Sequence, residues 1–198
     1  MKKFEEMKFN IPTLKGISAK TIEEHLKLYS GYVKNVNAVL EQIQELKKDS
    51  AKNAYALGEV NRRFGFEYNG MRNHEVYFKS LEAGSTPLAA SGALQKTIEE
   101  QWGSFDAWLA EFKAIALTRG IGWAMLYYDR KDKRLLNAWV DEQHLGQLQD
   151  CALILGLDMW EHSFVADYQP SGKKQYVEDF FSNLNWGVIE KNFSRAKK

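Results

Sequence analysis

Between Ser18 and about Lys48, Ile22, Tyr29, Tyr32 with Val33, Val36, Leu40 and Ile43 recur at steps of three, four and seven residues, the spacing that gathers side chains on one face of a helix. Thr21 followed by Glu24 predicts a capping box near its start. The polar break KKDSAKN, 47–53, precedes a second helical segment from about Ala54 to Leu81. Two long helices with a short connection predict an antiparallel hairpin.

The segment EAGSTPLAASG, 82–92, concentrates small residues, Gly and Pro, and divides the chain into domains of residues 1–84 and 85–198. Beyond it ALQKTIEEQW and SFDAWLAEFKAIALTRG read as two helices, the second opened by Ser104 as N-cap and closed by Gly120. The pattern then changes. GWAMLYYD and RLLNAWVD are apolar and aromatic runs around a charged turn, a β-hairpin signal, and ALILGLD reads as a third, buried strand. KKQYVEDFFSNL and GVIEKNF close the chain as helices. The fold class expected is α+β, a helical hairpin domain followed by an α/β domain with a three-stranded sheet.

Composition changes the picture only by exclusion. The 198 residues, 44% apolar and 13% aromatic, suffice for a core in one compact domain or two sharing an interface. The single cysteine, Cys151, rules out an internal disulfide, and its apolar neighbours mark it as a buried, inert thiol. The N-terminal MKKFEEMKFNIP has no apolar targeting core, and CALILGL is too short to cross a bilayer, so a cytoplasmic protein is expected. With 27 basic against 26 acidic residues, no bulk field points to nucleic acid or to an anionic membrane.

The chemistry rests on four histidines, His25, His74, His144 and His162. His25 falls on the packing face of the first helix, and His74 shares a stripe with Phe66, Gly70, Tyr77 and Leu81 on the second. Each is readable alone as a hydrogen-bonded core histidine. Two imidazoles facing one seam, however, need two sets of partners unless a metal satisfies both. Asp158 ends an apolar strand, where an acid is poorly placed unless paired or ligating, and His162 follows about one turn later. If all four converge, three neutral imidazoles and a carboxylate form a set suited to Fe, Mn or Zn.

LDMWEHSF closely resembles the D-x-W-E-H-A-Y signature of the iron/manganese superoxide dismutases. NHEVYF, SAKTIEEH, GWAMLYYD and YVEDFFSNLNW resemble further segments of that family, in order, from about residue 9 to 193. The resemblance implies that His25, His74, Asp158 and His162 are the ligands of one Mn or Fe ion per subunit, that the C-terminal sheet is antiparallel, and that the reaction is disproportionation of superoxide to O2 and H2O2. Zinc, which has no redox chemistry, is excluded as the catalytic ion. Family members place a glutamine against the solvent ligand from one of two positions. The one on helix two is Gly70 here, which leaves Gln143 in VDEQHLG, with adjacent His144 as its competitor. That arrangement, together with Gly156, is associated with manganese, which is therefore favoured. Trp123 and Trp160 resemble the tryptophans that wall the metal pocket.

The chain also departs from the family. Tyr29 stands where a gate histidine is usual, and Tyr32, seven residues after His25, takes the place of the gate tyrosine with one residue missing. At about 100° per residue Tyr32 still returns to the His25 face, with Gly31 as a point where the helix can bulge. Phe164-Val165 replaces a pair of tyrosines, so both ends of a link across the subunits have changed together. Glu161 is expected to cross a two-fold interface to His162 of the partner subunit, making a homodimer. Steering of the anion falls to Lys173 or Lys174. The rival expectation is a metal-binding relative with weak or altered oxygen chemistry.

Overall fold

In the computed structural model, which describes residues 2–198, the two amphipathic stretches of the first half form α1, Ala19–Leu46, and α2, Ala54–Leu81, joined through a 3-10 turn at Lys47–Asp49. They pack against each other as a hairpin. The cap of α1 lies earlier than Thr21-Glu24 suggests. Ser18 has extended backbone, and its Oγ accepts the Thr21 N–H at 3.1 Å, so Thr21 is already inside the first turn as one of the donors that need a cap. The helix runs unbroken through Gly31, with no bulge.

Residues 85–198 supply α3, Ala93–Trp102, and α4, Phe105–Ala116, then three strands, β1 (Gly122–Asp129), β2 (Arg134–Asp141) and β3 (Cys151–Asp158). The short α5, Val165–Tyr168, leads to α6, Lys173–Asn183, and α7, Trp186–Ala196. Gly103, in left-handed conformation at φ 81°, ends α3, and Ser104 Oγ caps α4 through the Ala107 N–H. α4 stops at Ala116, short of the expected Gly120, because Leu117 and Thr118 close their bonds back onto Lys113 and Ile115 and turn the chain toward β1.

The sheet is antiparallel in the order β2-β1-β3, with a register shift after Leu126. Seven consecutive residues of β1, Gly122 to Tyr128, are buried, which a central strand covered on both faces requires and which explains its unbroken apolar run. The register sets Trp123 opposite Asp158, so the end of β3 and the start of β1 deliver two site residues together. Among the described residues no helix is long and apolar enough to cross a membrane.

Residues 2–17 form a strap without helix or strand that binds both halves. Asn37 clasps the backbone of Phe4, the Tyr29 hydroxyl accepts from Met7 N–H, Ala83 N–H donates to Asn10 O, and Asn183 bonds both N–H and C=O of Lys15. Between α2 and α6, Tyr77 stacks on Phe180 at 5.4 Å, both fully buried. Phe180→Ala is expected to lower the unfolding free energy by about 3–5 kcal/mol through lost transfer energy and the cavity left behind, as read from urea denaturation.

Candidate metal centre

Each of the four elements that meet behind the hairpin brings one donor: α1 His25, α2 His74, the end of β3 Asp158, and the 3-10 turn Glu161–Ser163 His162. One donor atom from each lies within 4.8 Å of the other three. Asp158 Oδ2 is 3.2 Å from His25 Nε2, 3.2 Å from His162 Nε2 and 3.5 Å from His74 Nε2. His25, His74 and Asp158 are fully buried, and the His162 side chain is 23% exposed.

The surroundings fix each donor. Asp158 Oδ1 accepts the Trp160 N–H at 2.8 Å, while its backbone carbonyl accepts from Ser163 Oγ and Tyr176 Oη, which leaves Oδ2 aimed inward. His74 Nδ1 lies 2.6 Å from the Gly70 carbonyl. Since a carbonyl only accepts, Nδ1 carries the proton and Nε2 presents a bare lone pair to Asp158. Burial, with the neighbouring His25 adding to it, lowers His74 to about 3, and burial lowers His25 as well, so both imidazoles are neutral. Burial raises Asp158, but its attraction to His162 above all, with the hydrogen bonds from His162 and His25, outweighs it and holds the carboxyl ionised.

This arrangement fits a cation. The Nε2 lone pair of His74 faces a carboxylate oxygen, has no hydrogen-bond partner and is sealed from water. Lone pairs pointed at one another in a dry space repel unless a positive ion sits between them. Three nitrogens and one oxygen suit Mn, Fe or Zn.

Around the donors, Tyr32 lies across α2 at Gly70, where a Cβ would collide with its ring, and its ring centroid is 5.1 Å from that of His74. Gln143 is fully buried; its Nε2 donates to Tyr32 Oη at 3.0 Å and its Oε1 accepts from Trp123 Nε1 at 2.9 Å. The neighbouring His144 instead lies beside Phe66 and Gly65, so Gln143 is the residue directed to the pocket. Trp123 meets His74 edge-on at 5.1 Å, and Trp160 stacks on His162 at 5.9 Å with Nε1 donating to Glu142 O.

Other expected residues lie elsewhere. Tyr29 is turned toward the strap and Glu75, and packs on Phe9 and Phe78, so it takes no part in the Tyr32–Gln143 contact. Phe164 stacks on Tyr176, and Val165 begins α5. Glu161 is exposed beside His162. Lys173 Nζ donates to Thr118 O, and Lys174 is exposed. Two residues escaped the sequence reading. Asn73 Nδ2 donates to the Gln143 carbonyl at 2.9 Å, and Tyr176 holds Asp158 O at 2.9 Å. Both stand in segments that resemble the family, Asn73 opening NHEVYF and Tyr176 opening YVEDFFSNLNW, and that was the available signal.

Two family models cover nearly all of the chain: iron/manganese superoxide dismutases, alpha-hairpin domain, over residues 3–82, and the C-terminal domain of the same family over residues 90–192. The chain belongs to the iron/manganese superoxide dismutase family. It is 37% identical over 186 residues to a protein of Cupriavidus metallidurans named superoxide dismutase (Fe), covering 92% of this chain and 91% of that one. Proteins named superoxide dismutase (Mn) from Mycobacterium avium and Mycobacterium leprae are 34% and 33% identical over 175 residues, 87% of this chain and 82% of each. Superoxide dismutases carrying either metal name are thus among its relatives.

An unfolded histidine takes up a proton near its ordinary value of 6.5, whereas His74 in the fold resists until about pH 3. Between those values the unfolded chain binds more protons, so acid favours unfolding. His25 acts in the same direction, and Asp158 adds to it once an unfolded aspartate begins to protonate. The metal-free protein is therefore expected to lose several degrees of Tm between about pH 7 and pH 4, measured by circular dichroism.

Proposed function

We propose that His25, His74, Asp158 and His162 hold one Mn or Fe ion and that the protein dismutates superoxide to O2 and H2O2. The observation carrying this reading is the convergence of a bare His74 Nε2, two further imidazole nitrogens and Asp158 Oδ2, with His25, His74 and Asp158 fully buried. When bound, the ion supplies one-electron chemistry, so that one superoxide is oxidised to O2 and a second is reduced and takes two protons to become H2O2.

The chain's own residues handle shape and protons. Trp123 and Trp160 exclude water from two sides of the imidazoles. Trp123 Nε1 fixes Gln143 Oε1, so the Gln143 amide is held with its N–H toward Tyr32. Because Tyr32 Oη accepts from Gln143, its own proton is free to be donated into the pocket. Burial raises Tyr32 well above the ordinary phenol value, which keeps that proton in place at neutral pH.

Manganese is the metal we favour, because the glutamine comes from the C-terminal domain and Gly70 occupies the alternative position, the pattern that the family resemblance links to manganese. We also propose a homodimer. His162 is the one ligand that reaches the surface, Glu161 is exposed beside it, and Ile121 and Leu145, 42% and 51% exposed, flank the Glu142 loop to which Trp160 bonds. In that arrangement Glu161 reaches His162 of the partner subunit. A cytoplasmic setting, where the unpaired Cys151 stays reduced, completes the proposal.

Protein loaded with Mn or Fe is expected to consume superoxide in stopped-flow assays faster than the same concentration of free ion, and His74→Ala to retain under about a tenth of the wild-type metal. Metal bound without that rate advantage would leave a metal-binding protein of altered oxygen chemistry; full metal in His74→Ala would remove His74 from the ligand set. In sedimentation at micromolar concentration the wild type is expected as a dimer, with Glu161→Gln shifted toward monomer. A monomeric wild type sinks the dimer reading.

A further inference from the structure

Three of the chain's seven arginines line one hollow of about 570 Å³ beside the free edge of β3, and none of its twenty lysines does. They come from three places: Arg72 on α2, Arg130 in the turn after β1, and Arg195 near the end of α7. No carboxylate lines the hollow. Asp129, next to Arg130, turns its Oδ1 to the backbone N–H groups of Lys131 and Asp132. Glu75 holds Arg72 Nη1 at 2.7 Å from the adjoining hollow near Lys2 and Phe4. Arg130 and Arg195 form no ion pair among the described residues.

Several cations elsewhere stand beside acids, as with Lys27 next to Glu23 and Glu24, or Arg62 next to Glu59. Arg130 and Arg195, unpaired beside an Arg72 that Glu75 holds from the far side, favour the entry of an anion. Guanidinium in place of ammonium adds a chemical preference, since its planar fork matches the oxygens of a phosphoryl group two at a time. The remaining lining is not ionic. Val76, Ala152 and Leu153 make an apolar floor, and Tyr68 forms a wall whose ring centroid lies 5.5 Å from the Arg72 guanidinium. The volume falls in the range of about 300–1,000 Å³ usual for small-molecule sites.

We propose that this hollow binds a small molecule with two or more phosphoryl groups and an aromatic or apolar body, of the class of nucleoside di- and triphosphates. It is separate from the metal centre. Cys151 at the hollow and Asp158 at the centre are opposite ends of β3, about 23 Å apart for seven strand steps.

The test is isothermal calorimetry of the metal-loaded protein with adenosine diphosphate and with inorganic pyrophosphate, at low and at moderate salt. Binding is expected to weaken as salt rises and to weaken about tenfold or more in Arg130→Gln/Arg195→Gln, with the circular dichroism spectrum and metal content unchanged. Tighter binding of adenosine diphosphate than of pyrophosphate supports the aromatic body, whereas equal binding overturns that part and leaves a polyphosphate site. No heat at millimolar ligand overturns the whole proposal. So does equal affinity in the double variant, because it places the ligand elsewhere, the metal centre included.

Discussion

The bare Nε2 of His74 and the ionised Oδ2 of Asp158 face each other in the buried centre of this molecule, and most of the surrounding structure follows from keeping them there. His25 and His74 are held neutral by burial while Asp158 stays ionised, so a buried carboxylate faces imidazole nitrogens with no lysine or arginine paired to it. Such a cluster is costly in an apolar interior and becomes favourable only around a cation. Two donors come from the hairpin and two from the chain after β3, so the ion site exists only while the halves are docked. The Tyr77–Phe180 stack and the strap do that docking, and Tyr77 also packs its ring against His25 at 5.0 Å.

Gly70 shows how the next layer out was made to fit. The missing side chain leaves a depression in α2 that the Tyr32 ring fills, and the Gly70 carbonyl below sets the tautomer of His74. A glutamine could not stand at position 70 with Tyr32 where it is, because even a Cβ meets the ring. The amide that bonds Tyr32 must therefore arrive from the other half, and the loop after β2 brings it. That loop is pinned by Asn73 at the Gln143 carbonyl, by Trp160 at the Glu142 carbonyl and by Trp123 at the amide itself.

The helices, the three strands and the four donors were legible because each rests on local spacing or on a short, specific motif. The residues that stayed ambiguous differ in direction rather than in position along the chain. Gln143 and His144 are neighbours, and which one turns inward depends on Glu142, whose left-handed backbone at φ 51° no pattern of residue types reveals. Tyr29 and Tyr32 both fall near the His25 face of one helix, at about 40° and 20° from it in opposite senses. Their fates separate only because Met7 and Glu75 wait on one side and Gln143 on the other. The arginine hollow was invisible for a related reason, since residues 72, 130 and 195 are unrelated in sequence and meet only once α2, the sheet and α7 are packed.

The clasp of Asn183 on Lys15 has a consequence in time. Its two partners are 168 residues apart, so this clasp cannot close until Asn183 has been synthesised, whereas the strap's bonds to Tyr29, Asn37 and Ala83 need only the hairpin. Lys15 is thus secured later than the rest of the strap, and closing its clasp joins residues of long sequence separation. Phe9 can cover Phe78 and Tyr29 as soon as the hairpin forms, because those contacts lie within residues 9–78. On the ribosome the face left uncovered is instead the one that awaits the C-terminal half, with Tyr77 open until Phe180 stacks on it, and a chaperone or fast folding of that half would shorten the interval.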